Sequence, residues 1–457
     1  MKNSILFVAL LVFLGACSDE LIAPNDRPGQ EQQQWVNHIT MNQAKKRLVN
    51  IVSEINSQIP AGVNRIPSIS ETTVSAMQCT PLSEQLKPLT RGEDETDAGF
   101  YVMRMDNDMF AIMSATTDKP ELLAIGNGYP NFEDSTANLP NPNYWAMPTG
   151  ADIGIGTTPD TASIKPFYVY KRISTTYSPM YDGGLCKVKW GNEAPYNEMM
   201  DTVTDPWGNV KHAAAGCVAI AMAQMMTVPN LRGGYYKDDV FDWDDLANRR
   251  DATCFNNPTA RTQIATLFRD LNNEDNLDSQ QASPTTWAST SSVPRVFRNF
   301  HFKQGGIMTT FDDTESTFKA QFDSIRHELD LGYPIYFDGK ADYVDPNNKD
   351  TLEGGHAWIC HGMMKASTLI EVYAYASEQD ALTNTEPIYV GDYIEESWFL
   401  QMNWGWDSKA DGYYIAKYGA NFDSTQGPDE TEIDVPKSKG WNNIKPNKST
   451  IIYKVRK

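Results

Sequence analysis

Histidine and cysteine are both scarce in this chain, with six of each among 457 residues. Neither occurs at the paired spacing of structural zinc sites, so no metal or other cofactor is expected. Positive charge is also short: 39 Lys and Arg face 59 Asp and Glu, giving a formal charge of −20. Such a balance excludes nucleic acid as a partner and argues against direct attraction to an anionic membrane surface. After the N-terminus no apolar run is long enough to span a bilayer, and no internal repeat is present.

What is present begins with Lys2, an apolar run from Ile5 to Phe13, and Leu14-Gly15-Ala16-Cys17. This is the layout of a secretory signal, with residues 1–16 as the cleaved part. The four residues ending at Cys17 resemble the lipobox of bacterial lipoproteins, which implies acylation of Cys17 and a membrane anchor made of several acyl chains. Export to the outer membrane or cell surface is therefore expected. Residues 17–34 are polar and turn-forming, as a tether is.

Order is expected from Trp35. In MNQAKKRLVNIVSEIN, Ala44, Leu48, Ile51, Val52 and Ile55 recur at helical spacing. Two β-rich runs, Phe100 to Met105 and Met109 to Met113, flank Asp106-Asn107-Asp108 as a hairpin would. A small α+β domain over 35–140 follows, then a Pro-, Gly-, Thr- and Ser-rich linker over 141–178 with Lys165, Lys171 and Arg172 as cleavage points. Residues 179–457 have the size of an enzyme domain, with a buried helix from Cys217 to Met226 and short strands at 333–337, 356–360 and 412–418.

Five cysteines follow Cys17, at 79, 186, 217, 254 and 360. An odd number leaves at least one thiol unpaired within the chain, and Cys186 with Cys254 is a candidate disulfide whose connectivity stays open. Cys217 stands where a Gly-bearing loop enters the buried helix, a place where backbone N–H groups and the helix dipole favour a thiolate. Taken alone such a cysteine is more often core. A base is available in His356, which follows Gly354-Gly355 and opens a strand, and strand alternation directs it away from the face of His361. Asn403-Trp404-Gly405-Trp406 offers an amide to fix an imidazole tautomer and indoles to exclude water.

Lys189 to Asn197, Gly216 to Met226, Gly354 to Gly362 and Asn403 to Tyr414 occur in an order and separation that resemble the streptopain family of papain-like cysteine peptidases. Residues 100–128 are similar to that family's propeptide. The resemblance implies an α+β fold: a papain-like peptidase domain at 179–457 preceded by an inhibitory propeptide domain at 35–140, an intramolecular inhibitor removed by cleavage in the linker. It implies Cys217 as nucleophile, His356 as general base and acid, Asn403 or Trp404 as the group that orients the histidine, and protein or peptide substrates. Gly355, Trp358 and Trp406 are expected along the groove. The family's oxyanion-hole glutamine is replaced by Asn192, one methylene or about 1.5 Å shorter, which would act beside the Cys217 N–H. Losing such a donor costs ~10²–10³ in rate. A surface lipoprotein that keeps the groove and binds peptide without turnover is the alternative.

Overall fold

The structure is a computed structural model that describes residues 38–59, 66, 69, 77–82, 95–105, 109–117, 120–127, 167–205, 208–282, 286–310, 315–344, 351–375, 388–409, 411–416 and 444–457. The signal, Cys17, the tether, the Asp106–Asp108 turn, and the linker through residue 166 with Lys165 lie outside them. Residues Asn37–Lys457 form one compact unit.

The chain order is α1 (Met41–Gln58), β1 (Gln78–Leu82), β2 (Phe100–Met105), β3 (Met109–Ser114), β4 (Leu122–Asn127) and β5 (Phe167–Pro179). Two short ladders, β6 (Thr202–Thr204) with β7 (Val210–His212) and β8 (Tyr235–Tyr236) with β9 (Asp239–Val240), surround α2 (Cys217–Met226) in sequence. Then come α3 (Trp243–Asn248), α4 (Pro258–Asn272), α5 (Val293–Asn299), β10 (Gln304–Thr310), α6 (Glu315–Asp330), β11 (Ile335–Val344), β12 (Thr351–Tyr375), β13 (Ile388–Asn403), β14 (Gly412–Ala416) and β15 (Ile444–Arg456). The fold is α+β.

Helix α1 begins with a capping box: the Gln43 N–H donates to the Thr40 hydroxyl at 3.3 Å, and the Thr40 N–H donates to Gln43 Oε1 at 2.8 Å. Its buried stripe contains Ala44, Leu48, Ile51, Val52 and Ile55, the residues that the spacing singles out. The hairpin strands also fall where the β-branched and aromatic runs place them.

Eleven strands make one sheet in the order β1-β2-β3-β4-β14-β13-β12-β11-β15-β10, with β5 paired to the second half of β12. Neighbouring side chains on a strand point to opposite faces, and here each face has its own core. Ile335, Phe337, Trp358, Cys360 and Ile451 join the core that includes α1 and the end of α6. Tyr336, Ala357, Ile359 and Ile452 join the core that includes α2, α4 and α5.

Two boundaries differ from the sequence reading. Residues 167–179, including Lys171 and Arg172, are strand rather than linker; their alternating aromatic and β-branched residues outweigh the Ser and Thr content that suggested a loop. The N-terminal strands, expected as a separate domain, continue the main sheet, because β4 pairs antiparallel with β14. An unpaired β4 edge would leave backbone donors and acceptors unmet. Helix α1 also guards β5: the Tyr177 N–H donates to Glu54 Oε1 at 3.1 Å, and Gln58 Nε2 donates to the Tyr177 carbonyl.

Leu48 is fully buried, so Leu48→Ala should lower unfolding stability by about 2–5 kcal/mol in a denaturant titration. A loss below about 1 kcal/mol would show that α1 is not packed as described.

Candidate active site

Gly216 turns the chain into α2 with φ 86°, a left-handed conformation suited to glycine, and a Cβ there would meet the Thr286 side chain at 3.3 Å. The first helical residue is Cys217, and Val218 through Met226 are all buried, so the head of the helix is held rigidly. Cys217 is only partly buried. Its sulfur lies within hydrogen-bonding reach of the Ala357 backbone and of the N–H groups of residues 217 and 218. Burial dominates these contacts and, with the Asp338 carboxylate acting in the same direction, pushes the thiol up to about 11.

The next residue back along β12 is His356. It does not open the strand as the glycine pair suggested: β12 starts at Thr351, and His356 sits within it opposite Gly339. Alternation turns its ring to the face opposite Ala357, while His361 receives the Cys186 N–H on its Nδ1 at 3.3 Å. The His356 ring is stacked on Trp358 and Trp404, each at 6.1 Å between centroids, and lies 4.3 Å from Trp406. Its Nε2–H donates to the Trp404 carbonyl at 2.9 Å, a bond that leaves Nδ1 as the basic nitrogen. Burial pulls this histidine down to about 4, against the upward effect of that bond. The thiol and the imidazole are therefore both neutral at pH 7 in this arrangement.

The group that holds the histidine is neither of the expected side chains; it is the main-chain carbonyl of Trp404. Asn403 is spent elsewhere, with its Nδ2 donating to the Val188 carbonyl at 2.8 Å and its Oδ1 accepting from the Gly405 N–H at 3.1 Å. Because the Gly405 N–H and the Trp404 carbonyl belong to one peptide unit, Asn403 orients the histidine's acceptor at one remove. The preceding peptide is fixed by Asp411, whose Oδ1 accepts the Trp404 N–H at 2.8 Å. Burial raises this carboxyl to about 7, with Lys189 pulling the other way. The Asp411 carbonyl in turn accepts the Asn127 N–H, at 2.7 Å, from the end of β4. In the sequence the one signal for Asp411 is its place just ahead of the Gly412 strand, inside the Asn403 to Tyr414 motif.

Asn192 reaches the helix head. Its Oδ1 accepts the Gly216 N–H at 3.0 Å and its carbonyl accepts the Ala215 N–H at 2.9 Å, which anchors the oxygen end of the amide one residue from Cys217. The same loop is pressed against the tryptophan turn: the Asp407 N–H donates to the Trp190 carbonyl at 3.4 Å, and any Cβ on Gly191 would strike the Asp407 carboxylate. Sequence segments more than 200 residues apart thus meet at the loop that anchors the helix head.

The expected groove residues separate. Trp358 is completely buried behind the sheet and cannot line a groove, since its place on β12 aims it into the α1 core. Trp406 keeps part of its surface, and Gly355 stands in β12 opposite Lys340. Cys79, Cys186, Cys217, Cys254 and Cys360 are all free, so the candidate Cys186–Cys254 disulfide does not form; the Cys186 sulfur instead approaches the carbonyls of Val188 and Gln224, each at 3.7 Å.

Residues 190–414 match the model of the Peptidase C10 family. Over that span the chain belongs to this family. Asn192, Cys217, His356, Asn403, Trp404 and Asp411 all fall inside the C10 span, and membership makes the chain a cysteine peptidase by class. The chain is also similar to a cysteine-to-alanine mutant fragment of prointerpain A from Prevotella intermedia, at 15% identity, 83% of this chain, 99% of that chain and TM-score 0.45. Active interpain A cysteine protease from the same organism matches at 18% identity, 60% of this chain, 94% of that chain and TM-score 0.38. No curated protein matches.

For this C10 chain, a thiol at about 11 is ionised to the order of 10⁻⁴ at pH 7. Iodoacetamide labelling of Cys217 in the full chain, followed by peptide mapping, should therefore be slow at neutral pH and accelerate steadily up to about pH 11. A rate that already levels off below pH 7 would contradict the neutral pair.

Proposed function

We propose that this chain is an exported cysteine endopeptidase made as an inactive precursor, with Cys217 as nucleophile, His356 as general base and acid, and residues 35–140 as its inhibitor. The observation that carries this reading is the seating of the Cys217 sulfur, at the head of a buried helix, against the backbone of Ala357, the residue next to His356. Signal cleavage, lipidation of Cys17 and surface location belong to the same proposal and rest on the sequence of residues 1–20.

In the working enzyme the imidazole Nδ1 faces the sulfur and takes its proton. The thiolate attacks the substrate carbonyl, and the developing oxyanion is met by the Cys217 N–H and the Asn192 amide. The imidazolium then protonates the leaving amine, and water deprotonated by the same nitrogen releases the acyl group. Throughout, the Nε2–H stays on the Trp404 carbonyl, whose two flanking peptides are held by Asn403 and Asp411.

Inhibition, on this reading, follows from sheet continuity. Strand β4 is bonded to the β14 end of the loop that begins at Trp404, so the N-terminal segment braces the peptide that holds the imidazole in the tryptophan stack. Cleavage ahead of β5 frees that loop, and the histidine turns to the thiol.

Full-length protein incubated under reducing conditions should yield a fragment starting between residues 128 and 166, and Cys217→Ala protein should remain intact. The matured wild type should hydrolyse casein, with Cys217→Ala inactive. Asn192→Ala should lower kcat by ~10²-fold with little change in KM. Asp411→Ala should lower kcat about tenfold, and Asp411→Asn, which keeps an acceptor for the Trp404 N–H, should retain most of it. Casein turnover equal in wild type and Cys217→Ala would refute the assignment.

A further inference from the structure

Asn272 has no part in the steps above. It is the last residue of α4, and only 2% of its surface is exposed. Its Nδ2 donates to the Phe268 carbonyl, one turn back in the same helix, at 2.8 Å, and to the Ala215 carbonyl at 2.9 Å. Two carbonyls can be met only by the nitrogen end of an amide. The oxygen end is held by Ser279, whose hydroxyl donates to Asn272 Oδ1 at 2.5 Å and whose N–H donates to the Asn272 carbonyl at 3.2 Å. The amide is thus fixed in orientation, with one hydrogen on the chain just ahead of Cys217.

The Ala215 carbonyl is one end of a peptide unit whose other end is the Gly216 N–H, the donor to Asn192 Oδ1 at 3.0 Å. Two asparagines therefore grip a single peptide from opposite sides. Gly216 makes that grip necessary. A peptide unit flips when ψ of the residue before it and φ of the residue after it rotate together, and glycine accepts either sign of φ at little cost. A flip here would turn the N–H away from Asn192 and bring a carbonyl oxygen toward its Oδ1. Two oxygens repel, so the Asn192 amide would have to turn over and withdraw its nitrogen from the oxyanion. The Ala215 N–H, which donates to the Asn192 carbonyl at 2.9 Å, belongs to the preceding peptide and does not prevent the flip.

We infer that Asn272 is a positioning residue for catalysis: by locking the Ala215–Gly216 peptide it keeps the oxygen of the Asn192 amide on the Gly216 N–H and the nitrogen toward the developing oxyanion. The catalytic role rests on the cysteine-peptidase reading, whereas the lock rests on the contacts alone. Asn272 acts through Asn192, so its effect belongs in kcat and vanishes when the Asn192 amide is absent.

The lock is read without turnover, by hydrogen exchange in full-length protein labelled with nitrogen-15 glycine. Asn272→Ala should speed exchange at the Gly216 N–H about tenfold and leave Gly405, whose N–H is held by Asn403, unchanged. An unchanged Gly216, or an equal rise at both glycines, would overturn the inference, the second by marking Asn272 as a general brace. The matured enzyme supplies a double-mutant cycle on one peptide substrate. Asn272→Ala should lower kcat about tenfold with KM within about twofold, yet lower it less than about twofold in an Asn192→Ala background. Equal losses in the two backgrounds, or a loss confined to KM, would overturn the positioning role. Should Asn272→Ala fail to fold, Ser279→Ala, which removes the hydroxyl that orients the amide, should show the same pattern in both arms at about threefold. Faster Gly216 exchange in the variant, with no hydrolysis of any peptide by the wild type, would uphold the lock and overturn the peptidase reading.

Discussion

Strand β12 carries the constraint on which the site depends. Side chains of successive strand residues must face opposite ways, so Ala357 looks toward α2 and the sulfur while His356 looks toward the tryptophans. The strand cannot rotate to bring the imidazole over, because it is paired with β11, β13 and β5 along its length and buried on both faces. Any approach of imidazole to thiol must come from the side chain and from the loop that holds it. That requirement assigns meaning to the Trp404 carbonyl, to Asn403 and Asp411 behind it, and to the pairing of β4 beside Asp411.

Electrostatics match this geometry. A thiol pushed up to about 11 and an imidazole pulled down to about 4 cannot exchange a proton productively at neutral pH, and both shifts have burial as their largest cause. A working thiolate–imidazolium pair needs the two groups close together, so that each charge offsets the cost of the other. Burial favours the neutral form of both groups, and every proposed catalytic side chain is already present. On the proposed reading, activation needs no new residue.

Much of this was legible in the sequence. Helical spacing identified the buried face of α1 residue by residue, the all-apolar run from Val218 predicted the seat of Cys217, and alternation separated His356 from His361. What was not legible lay mostly in the backbone. No side-chain pattern announces that a main-chain carbonyl at Trp404 holds the histidine, or that Asn403 serves a peptide N–H. The β5 strand was hidden because Ser and Thr suit loops and strands alike, and the burial of Trp358 because a tryptophan in a strand carries no mark of which face is cleft and which is core. Sheet continuity from β4 to β14 is a long-range pairing that local propensity does not encode.

The central claim is that one imidazole keeps its Nε2–H on the Trp404 carbonyl but changes charge beside the Cys217 sulfur when the N-terminal segment is removed. Nitrogen-15 NMR of histidine-labelled protein measures this directly. The account predicts that in the full chain His356 is a neutral ring with its proton on Nε2 down to about pH 4. After maturation it should be an imidazolium at neutral pH, a charge that disappears in Cys217→Ala protein. An unchanged His356 signal before and after maturation, or an imidazolium that persists without the Cys217 sulfur, would contradict it.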